Sequence, residues 1–189
     1  LHFALRYTLY DLADFMVEHG APLDTRGVQG ETPLHIACMH KQAALGLKMV
    51  ERGARLDIAD AEGNMPLHYA AAFDTGLSMA MVERKAPLVA YNNDHETPLH
   101  IAYAHSHDAL VEAMVHHGAS PHLRNKLGRT VLDMAVSQKN ESLATFFVDA
   151  APHLDDRALV LQSACRKDME RLSQRILAGK ERISAFTLG

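Results

Sequence analysis

A chain of 189 residues, 48% hydrophobic and 22% charged, is long enough to bury a sizeable core and too apolar for a disordered segment. Its net charge of −4 and pI near 6.4 speak against nucleic-acid binding. No apolar run approaches the roughly 18 residues that span a bilayer, so no membrane insertion is expected.

Read from its start, the chain repeats itself. Leu1-His2-Phe3-Ala4 returns one period later as Leu34-His35-Ile36-Ala37, inside the run Thr32-Pro33-Leu34-His35-Ile36-Ala37. That run recurs as Met65-Pro66-Leu67-His68-Tyr69-Ala70 and as Thr97-Pro98-Leu99-His100-Ile101-Ala102. A weaker copy is Thr130-Val131-Leu132-Asp133-Met134-Ala135. A second marker keeps step: Gly20-Ala21, Gly53-Ala54, Lys85-Ala86 and Gly118-Ala119. Thr32 and Thr97 suit a helix N-cap, and Pro33, Pro66 and Pro98 suit the first helical position. The Leu-x-x-Ala spacing then gives an apolar face. A second helix follows in each unit, with Leu47, Met49 and Val50 in one and Leu110, Met114 and Val115 in another. Gly53 and Gly118 suit its C-cap.

These motifs resemble the ankyrin repeat, clearly over residues 1 to about 154 and in degenerate form over 155–189. There Leu161-Gln162-Ser163-Ala164-Cys165 matches Leu34-His35-Ile36-Ala37-Cys38. The resemblance implies an all-α solenoid of stacked helix-turn-helix units carrying β-turn or hairpin fingers, one domain over 1–189. The units run approximately 1–29, 30–62, 63–94, 95–127, 128–156 and 157–189. A unit cannot bury its apolar face alone, so the units stack. The start inside a repeat and the apolar Phe3, Phe186 and Leu188 suggest a fragment of a longer protein.

Departures from the pattern gather in the third unit. Met65 stands for the capping Thr, Lys85 for the C-cap Gly and His95 for the finger Gly, the last two where positive φ is expected. The unit is also one residue short between Ala72 and Met79, which predicts a local irregularity over 73–95. In the fifth unit Asp149-Ala150-Ala151-Pro152 replaces the glycine, so its helix pair is expected to be shortened or shifted.

Function in such arrays usually lives on the concave side, on finger tips and the ends of the first helices. By register, Tyr7, Met39, His40, Phe73 and His105 take those helix positions. Their aromatic and amphipathic character suits interface anchors, and local packing against neighbouring helices is the competing reading. The fingers offer Arg26, then Asp60 and Glu62, then Asn92 and Asp94, then Arg124, Lys126 and Arg129. Acidic middle tips and a basic fourth tip would register a partner of opposite arrangement, unless they are simply solvated loops.

Thirteen histidines raise the question of zinc. The register argues against it. His35, His68 and His100 share the signature position, where the family's histidine hydrogen-bonds locally and braces the finger. His95, His116 and His117 fall on opposite sides of a unit. Cys38 lies three residues after His35, yet it follows the recurring Ala and is expected to face the core. Cys165 matches it, and the two follow no metal or redox spacing. No Gly-rich phosphate loop occurs. The basic segment 166–171, with Lys180, Glu181 and Arg182, reads as the solvated face of a terminal helix or as a docking surface.

No catalysis, metal or cofactor is therefore expected. The predicted function is a non-catalytic protein-protein interaction module using the concave groove and finger tips. A second reading makes it the regulatory or targeting part of a larger enzyme, such as a translocated bacterial effector, whose adjoining domains would be partners. The absence of a charged-then-apolar leader and of cysteine pairing predicts a reducing, cytoplasmic setting, the host cytosol for an effector.

Overall fold

Each signature starts a helix where the sequence places it. The computed structural model describes residues 1–150, 173–174 and 176–177. The degenerate unit over 157–189, with Cys165 and the basic segment 166–171, lies outside the described residues apart from those four positions. So do Ala151 and Pro152 of the fifth unit. The chain forms two compact units, Leu1–Ser120 and Pro121–Gly189.

The first unit holds four helix pairs: α1 (His2–Arg6) with α2 (Tyr10–Glu18), α3 (Pro33–Met39) with α4 (Ala43–Glu51), α5 (Pro66–Phe73) with α6 (Thr75–Glu83), and α7 (Pro98–Ala104) with α8 (Asp108–His116). The first helices pack in one row, α1 on α3 on α5 on α7, and the second helices in another, α2 on α4 on α6 on α8. None exceeds nine residues. Helices this short are unstable alone and depend on packing. The buried face repeats with the sequence: Leu34, Leu67 and Leu99, then Ala37, Ala70 and Ala102, then Met49, Met81 and Met114. Gly46 lets α4 approach α6 closely, because a Cβ there would lie 2.7 Å from a Leu77 methyl.

The buried signature histidine does two jobs. His35 Nδ1 accepts from the Thr32 backbone N–H at 3.0 Å and lies 2.8 Å from the Thr32 hydroxyl. Since that nitrogen accepts, the proton sits on Nε2, which donates to the Asn64 carbonyl at 3.0 Å. His68 repeats the arrangement, Nδ1 accepting from Met65 N–H at 3.0 Å and Nε2 reaching the Glu96 carbonyl at 3.2 Å. Half of the cap thus survives the loss of Thr at position 65. His2 makes the same long reach, to the Glu31 carbonyl at 3.0 Å. His35 and His68 therefore each cap the start of their own helix and hold the finger of the next pair, and His2 does the second alone. Arginines add a second tether: Arg52 donates to the Val17 and Glu18 carbonyls, and Arg84 to that of Val50.

The irregularity of the third pair has a definite form. Elsewhere the two helices are joined through a residue of positive φ, Thr8, Lys41 or Ser106. The third pair lacks it. Asp74 alone ends α5 and caps α6, its Oδ1 accepting from Leu77 N–H at 2.6 Å. Lys85 (φ 62°) and His95 (φ 56°) do adopt the left-handed region expected of the glycines they replace.

The fingers differ from hairpins with paired strands. No strand occurs among the described residues. Each finger is a turn closed by two hydrogen bonds, as with Asp60 N–H to Asn64 O at 2.9 Å and Gly63 N–H to Asp60 O at 3.1 Å. Neighbouring fingers join through backbone bonds, Ala61 N–H to Gln29 O and Asn93 N–H to Glu62 O, with side-chain bonds from Arg26, Asn92 and Asn93 beside them.

In the second unit α9 (Val131–Ser137) packs with α10 (Glu141–Ala150). Asp133 takes the histidine's place in the cap, accepting from Thr130 N–H at 2.9 Å while Thr130 Oγ1 accepts from Asp133 N–H at 3.0 Å. A carboxylate has no N–H with which to reach further.

Burial pushes the His35 and His68 imidazoles below their ordinary value, against the raising effect of the carbonyls they bond. The folded chain refuses protons that the unfolded chain accepts once the pH falls below about 6.5. Stability should be full above that value and decline below it. Urea melts between pH 7.5 and pH 5 should show the midpoint falling, and a His35→Asn/His68→Asn variant should show a lower but flatter profile; a flat wild-type profile would refute the linkage. Separately, the buried Ser78 hydroxyl has no partner. Ser78→Ala should raise the unfolding free energy by about 1 kcal/mol, measured by urea melts at pH 7.5.

Candidate functional site

Four finger turns begin at one register position: Gly27, Asp60, Asn92 and Asn125. Where that residue is Asx, its side chain holds the turn. Asp60 Oδ1 accepts from the N–H groups of Glu62 and Asn64, both at 2.9 Å. Asn92 Oδ1 accepts from Asp94 at 3.0 Å and Glu96 at 2.9 Å. Asn125 Oδ1 accepts from Leu127 at 3.0 Å and Arg129 at 3.1 Å.

Gly27 has no side chain to do this, and Glu31 does it instead. Its carboxylate folds into the empty space, where a Cβ on residue 27 would lie 2.3 Å from Oε1. Oε2 accepts from Gln29 N–H at 2.8 Å, and Oε1 pairs with the Arg6 guanidinium from α1. Glu31 is only 4% exposed. Burial pushes its carboxyl up, but backbone hydrogen bonds and Arg6 outweigh this and hold it below the ordinary range.

Tyr69 on α5 locks the next finger to its helix. Its hydroxyl donates to Asp60 Oδ2 at 2.7 Å and accepts from Asn64 Nδ2 at 3.1 Å. Burial, with the Asp60 carboxylate second, pushes this hydroxyl far above its ordinary range, so it remains a donor.

Between these fingers and the first helices lies a recess of about 420 Å3. Its apolar lining is Ile36, Met39 and Ala61, with Tyr69 beside them. Arg6, Gln29 and Glu31 line it from one finger side, Asp60 and Glu62 from the other, and His40 completes it. Four of the residues singled out in the sequence, Met39, His40, Asp60 and Glu62, therefore meet in one place. Met39 is 47% exposed there.

The others are placed elsewhere. Tyr7 ends α1 and its ring packs, tilted, against Phe3 at 4.4 Å. Phe73 packs against His105 at 5.9 Å and under the Lys41 ammonium at 4.3 Å. Thus Tyr7, Phe73 and His105 share the helix-end register of His40 but do not line the recess. Arg26 donates to the Ala59 carbonyl at 3.1 Å, bridging two fingers. Asn92 and Asp94 belong to the finger beside Glu62, with the Asn92 side chain used in its own turn. Arg124, Lys126 and Arg129 belong to the second unit, where Arg124 donates to the Gly128 carbonyl at 2.8 Å and lies 3.8 Å from Asp133.

Sequence reasoning missed Ile36 and Tyr69 as site residues. Both sit between the His and Ala of the signature, and that shared position was the available signal. The Arg6–Glu31 pair was also missed, although a glycine at the Asx register followed four residues later by Glu marks it.

A larger recess of about 610 Å3 lies at the ends of α4 and α6, lined by Val50, Gly53, Leu56, Arg84 and Lys85. Arg84 is engaged there as an inter-helix tether. None of the candidate residues reaches this recess, so the smaller one is the better site.

Cys38 is a free, buried thiol whose ionisation is pushed up by burial. The neighbouring His35 has both ring nitrogens engaged, so it offers no base. Among the described residues no group of three His, Cys, Asp or Glu could hold a metal ion, and no helix is long and apolar enough to cross a membrane.

A family model of ankyrin repeats, three copies long, matches residues 1–83 and again residues 44–125. Comparison with curated proteins gives no match. The two matched stretches overlap in phase with the helix pairs and together cover more than half of the sequence: the chain belongs to the ankyrin-repeat family.

Proposed function

We propose that this chain binds a segment of a partner protein in the recess between the first helices and the fingers 27–31 and 60–64. Ankyrin repeats are generally protein-protein interaction modules and typically non-catalytic. One observation carries the reading to this surface. Met39 and His40 stand at the end of α3 and Asp60 and Glu62 on the finger 60–64, and they converge on a single recess with an exposed apolar side chain. Burying the exposed half of Met39 would contribute about 1 kcal/mol, and the polar rim would set register. The finger is already held by Tyr69 and Asp60, so little ordering would be needed on binding. The reading suits a reducing, intracellular setting, where a buried thiol such as Cys38 stays unoxidised.

The test is an affinity capture from cell lysate with residues 1–189 as bait and a Met39→Ala/His40→Ala variant as control. The variant should melt like wild type and lose the captured partner. Equal recovery on both baits would sink the proposal.

A further inference from the structure

We infer that the segment bound in this recess is basic and apolar: an extended stretch carrying Arg or Lys two residues from a large apolar side chain. This rests on the groove reading above and adds the chemistry of its occupant.

The argument starts from charge. Arg6 is the guanidinium that lines the recess, and the buried Glu31 carboxylate already neutralises it. Asp60 and Glu62 line the recess as well. Asp60 is held by Tyr69 and by its own turn, with no cation among its partners. Glu62 is exposed, and its carboxylate meets only the Asn64 amide, at 3.3 Å. Among the described residues no cation pairs with it. Asp60 and Glu62 thus give the recess an acidic wall, with no cation paired to either among the described residues.

Beside this wall lie Ile36, Met39, Ala61 and the Tyr69 ring. An acidic or purely polar segment would meet like charge and leave this surface wet. A basic segment pairs with Glu62, lays its methylene stem along Met39, and brings an apolar neighbour onto Ala61 and the Tyr69 ring. Side chains two residues apart leave the same face of an extended strand, which sets the spacing. The tip carboxylate then contributes to steering and register, and the apolar contact to residence time.

A selection from a displayed library of short random peptides, with the full chain 1–189 as target, tests this. The winners should be enriched in Arg or Lys two positions from Leu, Phe or Met. Synthesised winners should bind about tenfold more weakly to Glu62→Lys, less so to Glu62→Gln, and should weaken as salt is raised. Met39→Ala should weaken them also. Thermal melts of the three variants check that each remains folded. Acidic or neutral winners that are still lost on Met39→Ala would overturn the basic chemistry and leave the groove reading standing. Winners indifferent to both Glu62 and Met39 would overturn both. A selection that enriches nothing would overturn this inference.

Discussion

The structure depends on one imidazole used at both ends. In His35 and His68, Nδ1 closes the helix that carries it, and Nε2 holds the finger of the following pair. The two bonds are not independent. Because Nδ1 accepts, the ring must be neutral and its only proton must point to the next finger. The same contact that caps a helix of seven or eight residues thereby stacks one pair on another. A single such bond contributes about 1 kcal/mol net, but leaving its buried atoms unpaired would cost more. This is why the signature places histidine beside a proline-led cap. A short helix, a turn and a stacking step are all specified within a few residues, and stability passes from neighbour to neighbour.

Given that tether, the structure can absorb departures wherever the backbone chemistry is met by other means. Asp74 shows this most clearly. With the left-handed linker residue missing, one extended residue both ends α5 and caps α6. Glu31 does the same for the first finger, supplying from four residues downstream the oxygen that Asp60 and Asn92 supply in place. Lys85 and His95 instead accept positive φ, at up to about 1 kcal/mol each relative to glycine. The third repeat is therefore altered in its loops, while Leu67, Ala70, Leu77 and Met81 keep the buried face unbroken.

What was legible in the sequence follows from the same distinction. Caps, helix pairs, the positive φ at Lys85 and His95 and the short third repeat all depend on interactions a few residues long, and each was readable. The recess was only half readable. Tyr7, His40, Phe73 and His105 share a register, yet only His40 lines it. Phe73 is carried on a helix extended by the missing linker and packs under Lys41 and against His105, while Tyr7 packs against Phe3. Register places a Cα; it does not choose between a neighbour and the solvent. Charge was ambiguous for a similar reason. Asp60 and Asn92 read as tip residues, but a short polar side chain next to free backbone N–H groups turns inward to hold the turn. The Arg6–Glu31 pair joins residues from different repeats and had no local signature beyond the glycine it fills.

The position between His and Ala in the signature shows how a fixed stack leaves room for a variable surface. Phe3, Ile36, Tyr69 and Ile101 occupy it, and none serves the cap or the tether. Its exposure varies from repeat to repeat, with Ile36 buried, Tyr69 and Ile101 half-buried and Phe3 exposed. At Tyr69 the choice does more than fill space, since its hydroxyl fixes Asp60 and so sets the angle of the finger that carries Glu62. One residue thus couples the apolar lining of the recess to its acidic wall. A phenylalanine there would keep the apolar surface and remove the bonds to Asp60 and Asn64, while His35 and the turn's own bonds still held the finger, so this hydroxyl trims the recess rather than building it.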